Sequence, residues 1–352
     1  MLQKTAGLSA WWRACRFHFV PPSFLPAIAG SVIAWYSTGI FNPVYFVLTV
    51  IGVTINHIAL NMTDDYYDYL SFVDRGKRNA GNPYCGGSGT LSAGLIKPEE
   101  MLRAFMAGYI ITIIIGLFLA LSVSWYILAF GFFGMACAYF YTAPPIRYAY
   151  HGFGEISQLI NFSFTIGMGA YFVQCRELSW EALWAILPLG FMMFAMITIN
   201  EIPDSKEDEK CEKRTLVVLL GAEKGVWLYG GAMITAYAII AVTPLLAMTT
   251  PWMYLALSTL PLFVKSLNIL RHNFHDALRM APANLLTIQI HSLTGILLII
   301  AHIIAGATAG RSLFEMALPA LILVIFYLPL VAPVFLKKTA QSSGKIYVRP
   351  AR

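Results

Sequence analysis

Long apolar runs, broken by short polar connections, fill most of the chain. The runs are continuous rather than alternating, so their pattern is that of helices and not of strands. Ten of them, each close to the ~20 residues that cross a hydrocarbon core, fall at residues 20–39, 43–63, 100–121, 124–142, 153–174, 182–202, 224–248, 251–270, 286–308 and 313–336. Backbone polar groups in lipid must be satisfied within the structure, which leaves helices as the form for such runs. The pattern predicts an all-α, polytopic transmembrane bundle forming one domain over residues 1–336, with a polar tail at 337–352.

Composition agrees with this. Apolar residues make up 58% and charged residues 12% of the 352, whereas a soluble protein carries about 25% charged residues. Arg13 and Arg16 precede the first run without a clean cleavage site, so the N-terminus reads as part of the protein and not as a signal peptide. The five cysteines form no CxxC pair and read as small hydrophobes or free thiols. The net charge of +6 is expected to set orientation and to meet anionic groups, with no nucleic-acid partner.

Lys and Arg are unevenly placed. Arg75, Lys77, Arg78 and Lys97 follow the second run, Arg147 the fourth, Lys206, Lys210, Lys213, Arg214 and Lys224 the sixth, and Arg271 and Arg279 the eighth. The connections after the first, third and seventh runs have no Lys or Arg, and those after the fifth and ninth have one Arg each. The positive-inside rule then puts both termini and every connection after an even-numbered run in the cytoplasm, as expected for an inner-membrane protein.

Two of those cytoplasmic connections are also acidic. "NMTDDYYDYLSFVDRG" (61–76) holds four of the seven aspartates, and "NEIPDSKEDEKCEKRTLVVLLG" (200–221) holds Asp204 and Asp208. Asp64 and Asp68 are four residues apart, as are Asp204 and Asp208, while Asn61, Asp65 and Asp68 fall at i, i+4 and i+7. On a helix these spacings line one face. Carboxylates crowded on one face repel unless a cation lies between them. A hard cation such as Mg²⁺ takes oxygen ligands and leaves positions for substrate phosphates. The two stretches lie four runs apart, in equivalent places of two successive four-helix units, and are expected to face one another across a bundle. Solvated charge that merely orients the helices is the plain alternative. Lys213 and Arg214 beside the second stretch, and Arg147 after the fourth run, could bind phosphate oxygens, although topology-setting charge explains each of them singly.

At these residues the chain resembles the UbiA superfamily of intramembrane prenyltransferases. "DDYYD…D" (64–74) is similar to its first acidic motif, "NEIPDSKEDEKCEKRTL" (200–216) to its second, and "YFYTAPPIRYAYHGFGE" (139–155) to its Tyr/Pro/basic connection. "WWRACRFHFVPPSFLPAIAGSV", "SGTLSAGLI", "GFGE" and "GAYFVQ" resemble the branch that prenylates 1,4-dihydroxy-2-naphthoate for menaquinone. Asp64 stands where the family usually has Asn. Phe72 stands where other branches have a third Asp, with Asp74 close by. The family usually has nine spans, so the run at 313–336 reads as a tenth, added one.

The resemblance implies Mg²⁺-dependent transfer of an isoprenyl chain from a polyprenyl diphosphate to an aromatic acceptor in the membrane. It implies metal ligation by Asp64, Asp65, Asp68, Asp204 and Asp208. Asn61, Asn200, Arg147, Lys213 and Arg214 would bind substrate, and the ring faces of Tyr139 or Tyr141 would stabilise an allylic cation. The acceptor stays open among dihydroxynaphthoate, 4-hydroxybenzoate, a chlorin, haem and a glycerol phosphate ether. Two other classes stay open too. A secondary transporter would place its acids near the bilayer midplane, and a haem protein would use His291 and His302 with a partner such as His57. The Gly-rich connection 77–100 reads either as a lid over the headgroup or as a flexible link.

Overall fold

The computed structural model describes residues 7–73 and 82–325. Asp74, the polar tail and residues 326–336 of the tenth run lie outside the described residues. Every described part is helix or connection. The helices are α1 (Leu8–Ala14), α2 (Pro21–Thr38), α3 (Pro43–Leu70), α4 (Pro98–Ser122) and α5 (Ile127–Tyr139). They continue with α6 (Gly154–Cys175), α7 (Trp180–Glu201), α8 (Ser205–Lys210), α9 (Leu216–Leu220), α10 (Ala222–Val242), α11 (Pro251–Asn273), α12 (Ala277–Thr308) and α13 (Leu313–Ile325). Seven of these are long and apolar enough to cross a membrane: α3, α4, α6, α7, α10, α11 and α12. Helices α5 and α13 are apolar but shorter. All ten predicted runs are thus helical where described, with seven that meet the requirements of a span.

The helix starts follow local chemistry. Pro43 opens α3 where its missing N–H costs nothing, and the Asn42 side chain accepts from the Val44 and Tyr45 amides at 3.0 and 3.1 Å. The seventh aspartate, Asp276, caps α12 in the same way, accepting from Leu278 and Arg279 at 3.0 and 3.1 Å. Its isolation in the sequence is therefore the isolation of a helix cap.

Helix α2 lies at the centre and packs against α3, α6, α7 and α12. From Ser23 to Trp35 it is almost wholly buried, although it carries three prolines and three serines. In the most apolar span, α4, only 22% of the residues in its apolar stretch are instead buried within the protein. Lipid rewards apolar surface, whereas helix–helix contact in the membrane rewards close backbone approach. Gly30 of α2 meets the backbone of Gly167 on α6, and a Cβ at Gly30 would collide with that carbonyl.

Helix α3 continues past its apolar part without a break, so its last two turns carry the first acidic stretch. Helix α7 ends at Glu201, and α8 and α9 then fold the second stretch back toward it. Both acidic ends meet at one end of the bundle.

Candidate active site

One cavity at that end has Asn61, Asp64 and Asp68 on one wall and Asn200, Glu201, Asp204 and Asp208 on another. Its empty space is about 870 Å³, part of it open to solvent. Tyr141 and Lys213 also line it. The expected meeting of the two acidic stretches is therefore present in the fold.

Lys213 ties the walls together. Its Nζ donates to Asp68 Oδ2 at 2.7 Å, and its backbone amide donates to the Asp208 carbonyl at 2.9 Å. Burial on its own lowers a lysine pKa, but Asp68, Asp208 and Asp64 outweigh it and hold this ammonium well above its ordinary value. Lys213 is a fixed cation at neutral pH. Tyr150 donates to the other Asp68 oxygen at 2.7 Å. Its phenol is pushed up by burial and by the Asp68 charge, so it keeps its proton. Asp68 thus faces two donors.

The geometry of this corner depends on "GFGE". Glu155, fully buried, accepts from the Leu216 amide at 2.7 Å, and the Arg214 amide donates to the Tyr150 carbonyl at 3.1 Å. These bonds turn the chain so that Lys213 points in. Arg214 is left exposed and outside the cavity.

The connection before α4 supplies the third wall through Tyr84, Cys85, Gly86 and Gly87. The Gly86 amide donates to Asp204 at 2.7 Å and the Ser88 amide to Asp65 at 2.9 Å. Gly86 has φ +70°, a backbone region that favours glycine. Asn82 donates to Asn284 at 3.1 Å, and Asn284 donates to Asn200 at 2.8 Å. Of the two expectations for this connection, its described part fits a docked cover rather than a loose link.

Arg16, which in the sequence only precedes the first apolar run, lines the cavity. Its guanidinium lies 3.4 Å from Asp64 and 4.0 Å from Asp65, and donates to the Gly86 carbonyl at 2.9 Å. Its φ of +49° bends the chain after α1, and no local sequence pattern foretells that bend. Asp65 does not line the cavity; one oxygen takes the Ser88 amide. Tyr139 lies outside as well, its hydroxyl paired with Tyr67 at 2.9 Å. Arg147 faces a neighbouring groove with Tyr67, Leu70 and Tyr150.

These donors fit a hard cation. Of the residues lining the cavity, Asp64 Oδ1 and Glu201 Oε2 are buried without a hydrogen-bond partner, and oxygen is the ligand Mg²⁺ takes. Among the described residues no three His, Cys, Asp or Glu are close enough to cage an ion unaided.

The model of the UbiA prenyltransferase family matches residues 23–279. The chain belongs to the UbiA prenyltransferase family. The match spans both acidic stretches and runs from the first turn of α2 through α11. Among its relatives in that family is the 1,4-dihydroxy-2-naphthoate octaprenyltransferase of Bacillus subtilis, 26% identical over 84% of this chain and 92% of that protein. The enzyme of the same name from Escherichia coli is 27% identical over 85% of this chain and 96% of that protein. Solved structures share the UbiA fold. An apo UbiA homologue from Aeropyrum pernix gives a TM-score of 0.60 at 16% identity, covering 80% of this chain and 97% of that one. A UbiA homologue from Archaeoglobus fulgidus bound to GPP and Mg²⁺ gives 0.52 at 15% identity, covering 82% and 99%. This protein is accordingly a prenyltransferase, built as an integral membrane helical bundle.

Proposed function

We propose that the protein transfers an isoprenyl chain from a polyprenyl diphosphate to 1,4-dihydroxy-2-naphthoate, with Mg²⁺, at the cytoplasmic face of the inner membrane. The single observation that carries this is the shared cavity, in which two acidic stretches about 140 residues apart in sequence face each other around Lys213. Relatives named for the naphthoate reaction support the acceptor. Mg²⁺ is supported by the free carboxylate oxygens of this site and by the Archaeoglobus fulgidus homologue, which binds GPP with Mg²⁺.

In this reading Asp64, Asp68, Asp204 and Asp208 hold the metal. Asp65 holds the cover through Ser88. Bound Mg²⁺ would neutralise diphosphate charge and draw electron density from the bridging oxygen. Among the described residues, Lys213 and Arg16 line the cavity and would bind the remaining phosphate oxygens. The allylic C–O bond breaks, and its electron pair leaves with the diphosphate. Tyr141 lines the cavity, where the π surface of its ring would stabilise an allylic cation. The ring carbon bearing the carboxylate attacks that cation. CO₂ then departs, and the electrons of its bond restore the aromatic ring.

Arg147, Arg214 and Tyr139, candidates from the sequence, act at one remove in this scheme. Arg147 faces the neighbouring groove, Arg214 faces away from the cavity, and Tyr139 braces Tyr67.

The test is an assay in membranes with a panel of prenyl diphosphates and acceptors, read by mass spectrometry. The panel contains dihydroxynaphthoate, 4-hydroxybenzoate, a chlorin, haem and a glycerol phosphate ether. A naphthoate product of mass reduced by CO₂ is expected. Transfer to another acceptor with none to naphthoate would overturn the acceptor, and magnesium-independent transfer would overturn the metal.

A further inference from the structure

Below the acidic cavity lies a second, smaller space of about 360 Å³. The two share the walls formed by His57, Leu60 and Gln158. The inner space adds Asn56 of α3 and Asn161 of α6. His57, Asn61, Asp64 and Asp68 fall at i, i+4, i+7 and i+11 of α3, so one helix face runs from the inner space to the acids. Seven residues of rise put His57 ~10 Å below Asp64.

The inner space carries four polar side chains, Asn56, His57, Gln158 and Asn161, among apolar ones such as Phe162 and Ile166. Asn161 is 7% exposed and Gln158 4%. The side-chain oxygens of Asn56 and Asn161 are buried and have no hydrogen-bond partner. Leaving such an oxygen against an alkyl chain is unfavourable, and polar side chains inside a membrane are commonly functional. Asn161 also opens a π-helical stretch, Asn161–Met168. Wide turns of this kind are rare and recur at functional sites.

Resting on the function proposed above, we propose that this inner space is the acceptor subsite. It receives an electron-rich hydroxyarene whose hydroxyl groups donate to Asn161 and Asn56. An isoprenyl tail offers no donor to these oxygens, and a carboxylate offers only acceptors. A ring with hydroxyl groups satisfies them while lying directly below the carboxylates that would hold the diphosphate. The carboxyl-bearing edge of the acceptor then faces upward, toward Asn61 and the allylic carbon.

Steady-state kinetics on Asn161→Leu and Asn56→Leu, in the full-length protein, test this. Each is expected to raise the acceptor KM at least tenfold. The KM for the prenyl diphosphate should stay within twofold, and the preferred chain length should not change. A monomethyl ether of the acceptor should be a poor substrate for the wild type. Where the removed donor is the one that Asn161 accepts, the ether should be no worse than the parent for Asn161→Leu. Asn161→Thr, which keeps an acceptor oxygen, should give an intermediate KM. Retained prenyl diphosphate binding by the Leu variants would report an intact upper site. Unchanged acceptor KM, an equal rise in both KM values, or an altered chain-length preference would overturn the subsite while leaving the proposed function standing. Failure of the wild type to prenylate any hydroxyarene would overturn both.

Discussion

Lys213 and Asp68 are 145 residues apart and meet at 2.7 Å, both nearly excluded from solvent. This ion pair joins the two acidic halves of the site. Removing one member of a buried pair costs about 3–5 kcal/mol, because the other charge is left uncompensated. Lys213→Met should therefore lower thermal stability in detergent and reduce kcat at least 100-fold. The double variant Lys213→Met/Asp68→Asn should recover most of the stability and none of the activity. A double variant as unstable as the single one would show that the pair does not act as a unit.

Tyr150 donates to the other oxygen of Asp68. Tyr150→Phe removes that donor and little volume. A hydrogen bond to a charged group contributes about 1.5–3 kcal/mol, so kcat/KM should fall ~10- to 100-fold with the fold retained. Wild-type kinetics in this variant would mean that Asp68 is oriented by Lys213 alone.

The Gly86 amide reaches Asp204 from a backbone with φ +70°. Gly86→Val strains that conformation by ~1–2 kcal/mol and should loosen the cover. The expected signature is a KM for prenyl diphosphate raised ~10-fold, with a smaller change in kcat. An unchanged KM would separate the cover from substrate binding.

Chelation bears on the carboxylates as a set. Treatment with EDTA should abolish transfer, and Mg²⁺ should restore it. In Asp204→Asn and Asp64→Asn the Mg²⁺ concentration for half-maximal activity should rise at least tenfold, whereas in Asp276→Asn, which alters a helix cap, it should not move. Activity that persists in EDTA would remove the metal from the scheme.

Away from the site, Gly30 lets α2 approach the backbone of α6 at Gly167. Overpacking a tight contact costs about 1–3 kcal/mol. Gly30→Ala should lower the melting temperature of the purified protein without changing either substrate KM at a permissive temperature. A melting temperature equal to that of the wild type would mean the helices part freely there.

What the residues settled by themselves was the class of fold and the chemical character of the site. Apolar runs of ~20 residues have one soluble alternative and few membrane ones, so helices, their order and most of their bounds were legible. Six of seven aspartates in two stretches marked the chemistry, because charge at a membrane edge is too costly to be idle. The tertiary structure decided which side chains share the cavity. Arg16 enters because a left-handed residue after α1 turns it inward, and Lys213 enters while Arg214 stays out because Glu155 and Tyr150 fix the turn between α8 and α9. Asp65 faces the cover because successive helical residues point about 100° apart. Sequence spacing assigns residues to a face of their own helix. The neighbour that face meets is set by packing between helices distant in the chain, and no local pattern carries that information.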